Sequence, residues 1–285
     1  VHSVTEFIEA VFEYRFLQIA LLAGVLVSVA CGVIGSYVVT RRITYIAGSI
    51  AHCVLGGIGA ARYFQIVHGW ELLDPLYGAV VAAMVAAVVI GLVSLRAKER
   101  EDTVIGALWA IGMAVGILFI YATSGYNEDL MSYLFGNILM VSSGNLRLIA
   151  VLDAIVVGVG IVFYKPLLAV CFDEEFARLR GLHVERYFLL LLCLTALAVV
   201  LLVTAVGVIL VIALLTLPPA IAGHFSKSLW RMMVISALLS VVFTTVGLAV
   251  SYGPEIPSGA TIVAIAGAFY LLTILGSFLL RRRHG

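Results

Sequence analysis

The chain has 285 residues, of which 63% are hydrophobic and only 12% charged, with a net charge of +1 and a mean hydropathy of +1.17. These values exclude an ordinary soluble domain, and nucleic acid is not an expected partner. Apolar runs of about 20 residues are long enough to cross a bilayer, so the expectation is an all-α polytopic membrane protein forming one transmembrane domain over 1–285.

In chain order, residues 1–15 mix Phe7, Ile8, Val11 and Phe12 with Glu6, Glu9 and Glu13. That spacing suits a short amphipathic helix on the outer membrane surface. The segment is too acidic, and the span after it too long, for a cleavable signal peptide. Apolar spans follow at about 17–40, 44–66, 75–95, 103–122, 147–170, 186–204, 206–222, 230–250 and 259–280. Counting differently around 186–222 gives eight to ten helices; nine is the reading adopted. Runs such as 187–203 lack the alternation of a barrel strand, so the spans are helices.

The basic residues divide unevenly between alternate loops. Of the 17 Lys and Arg residues, only Arg15, Arg62 and Arg147 fall in one set; the other set includes Arg41, Arg42, Lys98, Arg178, Arg180 and Arg231. The positive-inside rule places the richer set in the cytoplasm. Nine spans then put the N-terminus outside and the C-terminus inside. The outer loops are net acidic, either simply solvating that face or concentrating cations there.

Several chemistries lack their motifs. No G-x-x-x-x-G-K-[ST] phosphate loop is present, so ATP hydrolysis is not expected of this chain. No H-E-x-x-H is present, and Cys31, Cys53, Cys171 and Cys193 form no C-x-x-C pair. Of the six histidines, only His52 lies well inside a span.

His52 stands about 15 Å along the helix from Arg42, where an ionisable side chain is expensive and a functional candidate. Ser49 lies one turn earlier on the same face. Imidazole ligates zinc, iron and similar ions; the alternative is a ring hydrogen-bonded to a neighbouring helix carbonyl. Gly24, Ser28, Gly32 and Ser36 make a small-residue stripe for close helix packing, and Gly106 with Ala110 and Gly112 with Gly116 read the same way. In the loop Phe172-Asp173-Glu174-Glu175-Phe176-Ala177-Arg178-Leu179-Arg180-Gly181-Leu182, Asp173 can cap a short helix and Gly181 can end it. Such a helix either docks into a soluble partner or merely connects two spans. Pro218-Pro219 predicts a kink, and Pro257-Ser258-Gly259-Ala260-Thr261 opens the last span.

Taken together, these residues resemble a permease of the zinc/manganese/iron family of ABC importers, from about Phe16 to Leu280. The resemblance is carried by Arg41–His52, by Glu101-Asp102-Thr103-Val104-Ile105-Gly106, by Asp129-Leu130-Met131-Ser132-Tyr133-Leu134-Phe135-Gly136-Asn137, by Phe172–Gly181, and by the Ala205-Val206-Gly207…Pro218 and Pro257–Thr261 segments. It implies a type II ABC importer permease fold and a homodimer in the bacterial inner membrane. Two cytoplasmic ATPase subunits would hold the ATP, and an outer metal-binding protein would deliver zinc, manganese or iron. No cofactor would be bound permanently. Residues Phe172, Asp173, Glu174, Glu175, Phe176, Ala177 and Gly181, within 172–182, would form the coupling helix. The outer Arg62, Glu71, Asp74, Glu128, Asp129 and Glu255 would receive the binding protein.

The sequence departs from the family where an Asp commonly precedes the His by four residues; here that position is Gly48. Ser49, Asn137, Asp153 or the second copy's His52 would then complete a site around His52. Three rivals follow from the same residues. One is a metal-chelate importer of the siderophore type. A second is an ion-coupled secondary transporter, for which Asp153 is the one clear intramembrane carboxylate. The third is a haem-binding subunit, which needs two intramembrane His ligands.

Overall fold

Uninterrupted apolar runs satisfy their backbone groups internally as helices. The computed structural model describes residues 2–70, 72–96, 101–123, 138–141, 143–254 and 256–283, and no strand occurs among them. The helices are α1 (His2–Glu13), α2 (Arg15–Thr40), α3 (Thr44–Val67), α4 (Pro75–Arg96), α5 (Glu101–Ala122), α6 (Ser143–Val162), α7 (Tyr164–Phe172), α8 (Glu174–Leu179), α9 (Val184–Val206), α10 (Val208–Phe225), α11 (Leu229–Tyr252) and α12 (Ser258–Arg283), with a short 3-10 turn at Ile138–Met140. Eight are long and apolar enough to cross a membrane, and the pair α6 and α7 makes a ninth span if taken as one. The sequence-based count of nine agrees.

The ninth span is not the straight rod that 147–170 suggested: α6 and α7 are bent by 70°. Pro166 lacks an N–H for the carbonyl of Val162, and the chain turns at the intervening Phe163. The spans 186–204 and 206–222 meet at Gly207 alone, whose φ of 81° and ψ of 164° suit glycine. Pro218 and Pro219 lie inside α10, which runs unbroken from Val208 to Phe225. Pro219 leaves the carbonyl of Leu215 without its helical donor. Gly35 of α2 packs there so closely that a Cβ would lie 2.5 Å from that oxygen.

Two helical groups share the interior. α3 packs between α4 and α5, while α2 packs on α6, α10 and α11, and α12 lies against α10 and α11. α9 touches both groups. The Gly24–Ser36 stripe is buried, and Gly32 sits where a Cβ would meet Ala237 of α11 at 2.6 Å. Gly112 and Gly116 likewise receive the backbone of α3. Gly106 and Ala110 do not follow them: both are exposed, and a Cβ on Gly106 would meet nothing within 4 Å. α1 is helical as expected; Phe7 and Ala10 are buried, and the Phe7 ring lies 5.7 Å from that of Tyr252 at the end of α11.

Candidate functional site

α3 begins at Thr44, so His52 lies about 12 Å along it. Only 7% of His52 is exposed, and its Nδ1 has no hydrogen-bond partner among the described residues. The carbonyl bond that would have made it a plain packing residue is therefore absent at that atom. α5 runs alongside in the same direction. Ser49 Oγ donates to the carbonyl of Ile105 at 3.0 Å, and Cys53 Sγ to that of Leu108 at 3.3 Å. Beside these contacts the His52 and Trp109 rings lie against each other, with centroids 4.4 Å apart and planes inclined by 30°. The Trp109 ring also covers Gly48: a Cβ there would lie 2.9 Å from the ring. Further along both helices, Gly56 and Gly59 meet the carbonyls of Gly112 and Gly116.

Of the other sequence-derived pathway residues, Ser49 stays beside His52 and Asp153 lies apart from it. Ser49 shares the α3–α5 seam with His52, but its hydroxyl is already committed to Ile105. Asp153 is buried on α6, ten residues after Ser143, against Ala30 and Cys31 of α2. Its Oδ1 has no partner among the described residues. α6 packs on α2 and α9, whereas His52 faces α5. Among the described residues no three His, Cys, Asp or Glu side chains converge as a metal site. Asn137 lies outside the described residues.

At the basic end of the bundle, α8 is capped at both ends. Asp173 Oδ1 accepts from the N–H of Phe176 at 2.9 Å. Gly181, at φ 75°, donates to Arg178, and Leu182 donates to Ala177, which is the Schellman closure. Ala177 is fully buried, while Phe172, Phe176 and Leu179 are exposed, Leu179 by 87%. Glu175 is also exposed, but Glu174 forms an ion pair with Arg41. Arg41 closes the α2–α3 turn and lies 5.4 Å from the centre of the Phe188 ring on α9. A cavity of about 800 Å³ opens beside α8, with Phe172, Phe176, Lys165, Arg180 and Lys227 on its walls.

At the opposite end, Asp74 is a helix cap, its carboxylate accepting from the N–H of Leu76 at 2.8 Å. Arg62 donates to Gln65 at 3.0 Å on its own helix. Nearby, Phe64, Trp70 and Phe119 form an aromatic cluster that the sequence analysis missed. Glu71, Glu128, Asp129 and Glu255 lie outside the described residues.

The family model described as ABC 3 transport family matches residues 13–277, nearly the whole bundle. The chain belongs to the ABC 3 transport family. It is 43% identical to an uncharacterized membrane protein of Synechocystis over 92% of this chain and 91% of that one. It is 33% identical to the manganese transport system membrane protein MntC of Halalkalibacterium halodurans, covering 96% and 92%. Its fold matches PsaBC from Streptococcus pneumoniae, solved in complex with Fab, with a TM-score of 0.83, 30% identity and 95% of each chain covered. The fold expected from the resemblance is therefore the fold observed.

Around His52 and the short helix α8 of this ABC 3 permease, the sequence also did not show the role of Trp109 or the pairing of Arg41 with Glu174. A tryptophan in mid-span is itself a signal, because the residue concentrates at membrane interfaces. Arg41 carried none, since its partner is 133 positions away.

Proposed function

We propose that this chain is the membrane-spanning pathway subunit of an ATP-driven importer of zinc, manganese or iron ions. The carrying observation is the match to the ABC 3 family over residues 13–277, and the manganese transport relative supports the metal. The chain supplies the pathway, and a separate pair of cytoplasmic ATPase subunits supplies ATP hydrolysis. An extracytoplasmic binding protein delivers the ion. The basic loops orient the permease with its C-terminus in the cytoplasm.

α8 is the element that meets the ATPase. Its capped ends hold a short helix rigid, and Phe172, Phe176 and Leu179 give it an apolar face to dock. Motion of α8 passes through Glu174 to Arg41, at the turn that leads into α3 and His52. His52 is a transient ligand for the ion in transit, Asn137 is a further pathway residue, and Asp153 serves the pathway only where a second conformation brings it there. Arg62 and Asp74, beside the aromatic cluster, belong to the face that receives the binding protein.

A homodimer completes the pathway. In the most apolar stretches of α5 and α12 only 11% of the residues are buried within one chain. α5 exposes Gly106, Ala107, Ala110 and Ala114, small residues that let helices approach closely in lipid.

Reconstitution of the permease in proteoliposomes with its ATPase and binding protein tests the reading. ATP-dependent accumulation of a divalent metal is expected, with none when the ATPase is omitted. Equal accumulation without ATP would contradict it.

A further inference from the structure

The geometry points to Trp109 as a specificity-determining residue: by filling the space beside Gly48 and lying against His52, it leaves no room for a carboxylate one turn before the pathway ligand, so that the site serves cations that accept neutral nitrogen and passes over manganese. The inference rests on the reading of His52 as a pathway ligand.

Three observations carry it. A side chain at position 48 would lie on the same helix face as His52, one turn earlier, where an acidic residue could share its ion. That space is occupied, because a Cβ on Gly48 would already be 2.9 Å from Trp109 Cζ3 and 3.2 Å from Cη2. The same indole also lies against the His52 ring, with centroids 4.4 Å apart. Finally, Nδ1 of His52 is buried and unpartnered, and no His, Cys, Asp or Glu joins it in a cluster of three among the described residues.

The chemistry of such a site is narrow. A neutral imidazole offers a nitrogen donor and no charge. Zinc and ferrous ions bind imidazole well, whereas manganous, calcium and magnesium ions favour charged or neutral oxygen ligands. Divalent affinities also fall toward manganese at any nitrogen site. The manganese named for relatives such as that of Halalkalibacterium halodurans is therefore not the expected cargo here.

The test is direct binding of zinc chloride and of manganese chloride to the full permease chain in lipid nanodiscs, comparing wild type with His52→Ala. Wild type should show saturable zinc binding that His52→Ala loses, and no saturable manganese binding over the same concentrations. Gly48→Asp combined with Trp109→Ala makes room for a carboxylate and should gain saturable, His52-dependent manganese binding. Trp109→Phe keeps a ring over His52 and should retain the zinc-only behaviour. Manganese binding to wild type at zinc-like concentrations, lost in His52→Ala, would overturn the inference. So would a folded double variant that still ignores manganese. Should the double variant fail to fold, the wild-type comparison still decides. Failure here leaves ATP-dependent metal uptake intact, whereas failure of the functional reading removes uptake of every divalent metal.

Discussion

A buried polar atom left without a hydrogen bond costs about 1–3 kcal/mol, and Nδ1 of His52 is such an atom among the described residues. His52→Phe removes the unpaired nitrogen while keeping a ring to stack on Trp109. The expected outcome is a melting temperature equal to or above wild type together with loss of metal uptake. A packing role would instead give lower stability and normal uptake. Arg42 is a second costly residue, because it is the one non-glycine at positive φ among the described residues, at 62°. It closes α2 by donating to Val39 while Ile43 donates to Val38, the position at which glycine is usual. Arg42→Gly is expected to stabilise the turn by about 1 kcal/mol, read as a higher melting temperature in detergent. His52 was visible in the sequence because an ionisable residue in an apolar run stands out by itself. The Trp109 ring over Gly48 was not visible, because it depends on how α5 registers against α3.

At the level of elements, glycine placement separates helix faces that must pack from those left open. Gly57 and Gly78 bring α3 and α4 so close that a Cβ on Gly57 would lie 2.1 Å from the Gly78 carbonyl. Gly57→Leu is expected to prevent folding, measured as loss of the monodisperse species on size exclusion. A Cβ on Gly106 would meet nothing within 4 Å and Ala110 is exposed, so replacing both with Leu should leave the protomer folded and lower its dimer fraction, read by crosslinking in membranes. The sequence made these residues look like the buried stripes because spacing marks a close-packing face without naming its partner. α8 was legible to the residue, since Asp173 and Gly181 are local signals that need no tertiary context. Its tie to Arg41 was not. That tie makes Glu174 and Glu175 unequal: Glu174→Lys should uncouple ATP hydrolysis from uptake more strongly than Glu175→Lys. The exchanged pair Arg41→Glu with Glu174→Arg should restore part of the coupling if the ion pair transmits it.

Across the whole molecule, charge asymmetry and apolar runs of spanning length were enough to anticipate a bundle of eight or nine spans among the described residues, because the bilayer allows few solutions. The 70° bend between α6 and α7 falls beside a proline, Pro166, that the sequence analysis passed over. The relation between Asp153 and His52 could not be read from spacing, because it is set by the packing of α6 on α2 and of α3 on α5. A buried imidazole beside an indole thus lies on a helix whose preceding turn is tied by the Arg41–Glu174 ion pair to the short helix proposed to dock the ATPase. The proposed function of the assembly is import of a divalent metal. The most direct test is the elemental content of cells lacking this gene, compared with wild type in metal-depleted medium and with the gene restored. A selective fall in zinc or iron, reversed by the restored gene and by adding that metal, is the expected result. Unchanged zinc, iron and manganese in cells with no second importer would contradict the account and favour a chelate as cargo.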